Sequence, residues 1–295
     1  MPEESLVGAS LALLTAFCWA LTSVLLRKVK DVVKPFQSAF VSSAMGVLTV
    51  AGLAAASREL PNLFSIELTA VIYCVAAGLA NFALGRFLWY SGINIVGASR
   101  SNSIVALETL FAPLLAMLLL KEEAKKTTAP AILAILVGVL LISRSQSVSY
   151  EPVERRRFYL GILVSVGAAL AFSFGALLTR LAVLSAGSPL LAFIIGSSAS
   201  AAPLAPALKG LGVGYGGSDW LFLIAAGLAQ AVASISYWSA LNFATVVVVT
   251  PLTQAYPLFT LLLSYAYIRK LENLNLKVIV GALLITIGVA SITVV

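Results

Sequence analysis

The sequence predicts an all-α polytopic membrane protein, with ten transmembrane helices arranged as two inverted five-helix repeats. Three observations lead there. Of 295 residues, 60% are hydrophobic and only 11% charged, with a mean hydropathy of +1.03. A soluble domain carries about 25% charged residues, so this much apolar surface belongs in lipid. The apolar residues collect in runs close to the roughly 20 residues that a helix needs to cross a bilayer. Finally, the second half of the chain repeats the first at a nearly constant offset.

Ten spans can be marked, at 7–26, 36–57, 67–89, 97–120, 128–143, 160–180, 189–208, 219–241, 244–267 and 276–294. Barrel strands are about 9–11 residues long with alternating polarity. These runs are longer and apolar all round, so helices must satisfy the backbone. The only sizeable hydrophilic linker, SRSQSVSYEPVERRR at 143–157, lies almost at the midpoint. The chain accordingly divides into a first unit at 1–145, a polar linker at 146–158 and a second unit at 159–295.

The repeat is read directly from aligned segments, as periodic architectures should be. GASLALLTAFCWALTSVLLR at 8–27 matches GILVSVGAALAFSFGALLTR at 161–180, pairing Gly8 with Gly161, Trp19 with Phe172 and Arg27 with Arg180. Pro35 then pairs with Pro189, AGLAN at 77–81 with AGLAQ at 226–230, Trp89 with Trp238, Glu122 with Glu272 and Gly138 with Gly288. Five helices are an odd number, so the second unit enters the membrane from the opposite face. Such inverted halves can exchange conformations and expose a midplane site to each side in turn.

Charge orients the spans and excludes some chemistry. Of 19 Lys and Arg residues, 14 fall after spans 1, 3, 5, 7 and 9, among them Arg27, Lys28, Arg86, Arg100, Arg144, Arg155, Arg156 and Arg157. By the positive-inside rule that face is cytoplasmic and both termini lie outside. The +7 net charge is spread between apolar segments instead of clustering on a hydrophilic domain, so nucleic acid is not an expected partner. With no histidine and only 12 acids, the chain lacks the commonest general base and metal ligand. No catalytic residue, metal site or cofactor is expected, and a membrane-embedded lipid enzyme is the least favoured class. Cys18 and Cys74 lie inside apolar spans and read as small buried hydrophobes. The acids of MPEESLVG stand where a cleavable signal would be basic.

Several stretches resemble the EamA-type members of the drug/metabolite transporter superfamily over nearly the whole chain. They are Trp19 in TAFCWALTSVLLRK, GASRSNSIVALETLF with Lys121, Glu122 and Glu123 after it, and YWSALNFATVVVVTPLTQAYPLF at 237–259. Ala20 stands where the family usually has Gly, and Thr109 where a Pro often follows the Glu. The resemblance implies a secondary transporter of small metabolites, amino acids or amphiphilic drugs, more often an exporter or exchanger, in a prokaryotic plasma membrane. A channel or a lipid translocase of the same fold is the alternative. The resemblance also implies cytoplasmic termini, opposite to the charge count, which gives two readings of orientation. The partners expected are a small-molecule substrate and the bilayer; oligomeric state is not legible, and ten helices suffice for a monomer to enclose a path.

Glu108 is the sole carboxylate well inside a predicted span, about 16 Å along it from residue 97 at 1.5 Å per residue. A charge at that depth costs about 2.5–3.5 kcal/mol on insertion scales. The side chain therefore holds a substrate amine, holds a coupling proton, or braces a neighbouring helix. Its repeat counterpart is Tyr256, and Asn81 pairs likewise with Gln230. Paired polar groups of this kind orient a ligand or join helices. Trp19, Tyr237 and Trp238 are candidates for an aromatic cavity wall, and Asn102 joins them from the segment of Glu108. Trp89 and Tyr90, at a span end, read as interfacial anchors; Arg86 and Arg100 either approach Glu108 or snorkel to the interface. Pro113, Pro203, Pro251 and Pro257, with Pro206, interrupt spans 4, 7 and 9 and are the hinge candidates, and the small residues of SSASAA at 197–202 allow close helix approach.

Overall fold

The computed structural model describes residues 3–29, 32–33, 35–96, 98–145, 155–268 and 276–293, and among them every regular element is helical. The first half holds α1 (Glu3–Arg27), α2 (Pro35–Ala56) and a 3-10 turn at Leu60–Ser65. α3 (Leu68–Gly78) then runs through π-helical Leu79–Gly85 into α4 (Arg86–Val96). α5 (Ala98–Val105), α6 (Glu108–Leu115) with π-helical Ala116–Leu120, and α7 (Thr128–Ser145) complete it. The second half holds α8 (Arg155–Ala186), α9 (Pro189–Ala199), α10 (Ala201–Leu204) with 3-10 Ala205–Leu208, α11 (Gly217–Phe243), α12 (Val246–Thr253), α13 (Tyr256–Ile268) and α14 (Leu276–Thr293). Most of the polar linker, 146–154, lies outside the described residues, as does Glu272.

Among the described residues, four helical stretches are long and apolar enough to cross a membrane: Glu3–Leu26, Leu68–Trp89, Arg155–Ala186 and Gly217–Phe243. Shorter apolar ones lie at Phe40–Ala56, Glu108–Leu120, Thr128–Ile142, Pro189–Ala199, Val246–Thr260 and Leu276–Ile292. Leucines such as Leu48, Leu118, Leu163 and Leu221 face outward, each more than half exposed. In water that would be costly; against lipid tails it is the expected outer surface.

Small residues decide where helices touch. α1 runs antiparallel along α11, with Gly8 against Ala244 and the Thr15 and Thr22 hydroxyls directed at the carbonyls of Ala233 (3.3 Å) and Ala226 (3.4 Å). In the other half, α8 packs in the same sense on α3 and α4, with Gly161 against Val96. α7 and α14 cross at Gly138 and Gly281, where a Cβ on Gly138 would lie 2.6 Å from the Gly281 carbonyl oxygen and 2.7 Å from Ile285. A Cβ on Gly288 would meet Ala131 (2.8 Å) and Ile135 (2.6 Å) in the same way. Without a hydrophobic drive between helices in lipid, such close van der Waals approach is what holds them together.

The bundle therefore has two ends. One carries the C-terminus of α1 and the N-terminus of α11, where Val29, Val33, Val41 and Leu223 form a small core. There the loop before α11 passes through Gly210, Gly212 and Gly214 at φ of +75°, +85° and +80°, a region that glycine enters without a Cβ penalty. It delivers the Tyr215 hydroxyl to donate to Gln37 Oε1 at 2.7 Å. The other end carries the N-terminus of α1 and the junction of α11 with α12.

Proline acts four residues upstream of itself. Lacking an amide hydrogen, Pro203 cannot donate to the Ala199 carbonyl, and α9 ends at Ala199; Pro257 cannot donate to Thr253, and α12 ends at Thr253. Pro257 itself sits at the second position of α13, where no intrahelical donor is required. The fourth span departs from expectation. Pro113 does not mark its bend: it is buried within α6, and the interruption lies upstream at Ala106–Leu107. There Leu107 and Thr109 donate to Ile104 and Ala106 at 3.0 Å, three residues back instead of four. Cys18 and Cys74 are buried free thiols.

Replacing Gly138 or Gly281 with Ala should lower the melting temperature of the detergent-purified protein, by the equivalent of about 1–3 kcal/mol, because the added methyl meets backbone. Gly52→Ala is the control. A Cβ there has nothing within 4 Å, and the change should be neutral or stabilising.

Candidate functional site

The two broken segments face one another. α5 stops at Val105 and α6 begins at Glu108; α12 stops at Thr253 and α13 begins at Tyr256. The repeat register read from the sequence pairs Glu108 with Tyr256. Every helix end leaves backbone groups without intrahelical partners, and inside lipid they are tolerable only beside protein or a polar cavity. A cavity of about 260 Å³ lies at this junction.

Glu108 occupies the first turn of α6, where the positive end of the helix favours an acid. The Gln254 amide, from the break in the other half, donates to its Oε2 at 3.2 Å. The acid is thus held by a helix terminus and by a cross-half hydrogen bond instead of lying in the middle of a continuous helix. Trp19 on α1 stands between two phenols, with ring centroids 5.7 Å from Tyr237 and 6.5 Å from Tyr256. Trp238 lies behind, 1% exposed and edge-on to Phe193 at 5.7 Å, with its remaining face on the cavity.

Amides supply the remaining polarity. Asn81 lies in the π-helical turn between α3 and α4, a geometry frequent at functional sites. Its Nδ2 donates to the Ala77 carbonyl at 3.0 Å and to Thr179 Oγ1 at 3.2 Å, and Gly175 on α8 leaves the space its side chain fills. Gln230 on α11 donates to Ser234 at 3.3 Å, and Asn102 on α5 accepts the Trp89 indole N–H at 2.7 Å. The structure therefore brings all eight candidates, Glu108, Asn81, Gln230, Tyr256, Trp19, Trp238, Tyr237 and Asn102, onto one cavity. Of the hinge candidates, Pro251 and Pro257 flank the α12–α13 break next to it, Pro113 lies within α6, and Pro203 is exposed in α10 away from it.

Comparison with known proteins settles the family. The family profile described as the EamA-like transporter family matches residues 6–144 and again 159–294. The chain belongs to the EamA-like transporter family. It is 24% identical over 301 residues to the protein named uncharacterized inner membrane transporter YhbE of Escherichia coli K12, covering 98% of this chain and 91% of that one. An uncharacterized transporter of Haemophilus influenzae is 22% identical over 58% of this chain and 54% of its own length. A crystal structure aligns over 99% of this chain and 96% of its own with a TM-score of 0.80, at 17% identity, which speaks to the fold alone. This EamA-like protein is thus a membrane transporter, integral to a prokaryotic plasma membrane.

Several cavity groups of this EamA-like transporter were not among the site candidates read from sequence. Gln254 reads as one polar residue in an apolar run, and nothing local announces its reach to Glu108. Trp89, read from sequence as an interfacial anchor, is half-buried and lines the cavity. Arg86 also lines the cavity, with Cζ 5.0 Å above the Phe82 ring. The side chains of Tyr90 and Arg100 lie outside the described residues. Serines and threonines, including Thr22, Ser38 and Ser42, complete the wall toward the end of the bundle that carries the C-terminus of α1.

Three of the four tryptophans, Trp19, Trp89 and Trp238, line the cavity, while Trp220 packs at a tilt against Tyr215 outside it (centroids 5.4 Å apart). A ligand that enters the cavity should change intrinsic fluorescence, and the change should survive Trp220→Phe and shrink in Trp19→Phe. The reverse pattern would place the ligand elsewhere. Thr109, buried after Glu108, has a hydroxyl with no hydrogen-bond partner among the described residues. Thr109→Val should therefore be neutral or stabilising by about 1 kcal/mol in thermal unfolding, because it removes an unsatisfied polar atom while keeping the shape.

Proposed function

We propose that this protein is a secondary transporter that carries small metabolites, amino acids or amphiphilic drugs by alternating access of the cavity around Glu108, acting as an exporter or exchanger. The observation that carries this reading is the meeting of the two helix breaks, one from each half of the chain, at a single cavity lined by an acid, amides and aromatic rings. A site built at the joint of two similar units changes its exposure when one unit rocks against the other. Its chemistry suits a small solute with a polar or cationic head and an apolar or aromatic body, the head at Glu108 and the body against Trp19, Tyr237 and Tyr256.

The ten-span, inverted arrangement belongs to the same proposal. It is supported by reciprocal contacts: Gly138 on Gly281 and Ile285 is mirrored by Gly288 on Ala131 and Ile135, and Gly8 on Ala244 by Gly161 on Val96. The packing of α1 on α11, α8 on α3 and α4, and α7 on α14 pairs helices across the units at 1–145 and 159–295, so each moving body in this reading draws helices from both. Pro251 and Pro257, which flank the break between α12 and α13, supply a hinge point on that side.

A thermal-shift screen of metabolites on the purified protein should yield a stabilising solute, because a ligand bound only by the folded state raises its stability by mass action. In proteoliposomes that solute should exchange saturably. Glu108→Gln should reduce its kcat/KM by at least about tenfold, equivalent to about 1.4 kcal/mol. Loss of pH-gradient dependence in the same variant assigns the proton to Glu108; retained dependence rejects it as the coupling site. Unsaturable ion current would contradict the transporter reading in favour of a channel.

A further inference from the structure

Glu122 lies beyond the cavity, in the loop that follows the π-helical turn Ala116–Leu120. Lys121 closes that turn in the left-handed region, at φ of +54°, and the Glu122 amide returns to the Ala116 carbonyl at 3.3 Å. A left-handed residue after a helix turns the chain sharply, and here it brings the Glu122 side chain back against the other half. Its two carboxylate oxygens accept the backbone N–H groups of Val246 and Val247, each at 3.1 Å. Those are orphan donors at the N-terminus of α12, which has no side-chain cap of its own.

Arg180 on α8 completes the arrangement. Its Nε stands 3.8 Å from Glu122 Oε1, and its Nη1 donates to the carbonyls of Leu241 and, at 3.0 Å, Asn242, at the C-terminus of α11. One charge pair therefore ties together the end of α11, the start of α12, the last two turns of α8 and the loop after the π-helical turn that extends α6. Val246, Val247 and Leu252 of α12 and Ala112 and Ala116 of α6 are almost fully buried between this cluster and the cavity. The cavity wall, by contrast, runs toward Leu26, Ser38 and Trp89 at the opposite end.

Building on the alternating-access reading, we propose that Glu122 and Arg180 are positioning residues forming a latch. While the carboxylate caps α12, the helix is held against α6 and the cavity is sealed at the end that carries the N-terminus of α1. Opening that end requires the carboxylate to leave Val246 and Val247. A simple ion pair would work with its charges exchanged. A capping carboxylate would not, since arginine has no acceptor to offer the two amides.

The test places a reporter cysteine at Ser42, on the cavity, in full-length protein with Cys18→Ala and Cys74→Ala. A membrane-impermeant thiol reagent is applied from each side of the membrane in turn. Lys126→Cys and Val213→Cys, exposed at opposite ends, establish which side is which. With the latch intact, Ser42→Cys should be labelled from the end carrying the C-terminus of α1. In Glu122→Ala and Arg180→Ala, labelling from the other end should rise about tenfold while labelling from the first falls. Glu122→Gln should be intermediate, its single amide oxygen capping in part, and the exchanged pair Glu122→Arg with Arg180→Glu should not restore the original pattern. Glu122→Gln and Arg180→Lys carry the test if the alanine variants do not fold. Unchanged labelling in every folded variant overturns the latch and leaves alternating access standing. A rise at the one end without a fall at the other supports the latch and overturns alternating access in favour of a continuous pore. Restoration by the exchanged pair overturns the cap.

Discussion

The rest of the structure depends on the backbone amide in lipid. Hydrocarbon cannot hydrate an N–H or a carbonyl, so a helix that breaks inside a membrane must present its broken ends to protein or to a polar cavity. Two of the interrupted segments break opposite each other, at 106–107 and 254–255. The acid that composition makes conspicuous is then unsurprising. Glu108 sits at a helix N-terminus that favours a negative charge, and an amide from the other break donates to it. The cavity, the acid and the two interruptions are one feature seen from three sides.

The same constraint recurs at the end that carries the N-terminus of α1. The start of α12 leaves orphan donors, and Glu122 satisfies two of them from the other half of the chain. The carboxylate is taken out of water with two amides and a guanidinium for partners, an arrangement that stabilises the buried charge only while all of them are in place. Removing one partner exposes the others to desolvation without compensation. A contact of this kind has two states, made and broken, in contrast to the glycine-mediated packing of α7 on α14 or α1 on α11, where backbone meets backbone over long stretches.

Much of this was legible in the sequence because lipid simplifies the code. Long apolar runs gave the helical class, and the 153-residue offset pairing Gly8 with Gly161 gave contacts that the structure makes in parallel, one on Ala244 and one on Val96. The candidate cavity residues were found because a polar or aromatic side chain amid apolar ones stands out. What stayed hidden was tertiary. No proline marks the break before Glu108, so the sequence pointed to Pro113 instead, a residue that α6 accommodates. Gln254 and Glu122 were conspicuous as residue types, yet their partners lie 146 and 124 positions away, and no local pattern connects them. Trp89 was weighed as an interfacial anchor because it stands at the end of its span, and its hydrogen bond to Asn102, 13 positions away on the next helix, is a tertiary contact.

The central claim is that the joint between the two breaks is where the transported solute binds. A structure of the full-length protein determined with a stabilising solute bound tests it most directly. The account predicts solute density within hydrogen-bonding distance of Glu108 and in contact with Trp19 or Tyr256, touching residues of both halves. Density confined to one half of the chain, or to a site that Glu108 and the aromatic rings do not reach, would contradict it.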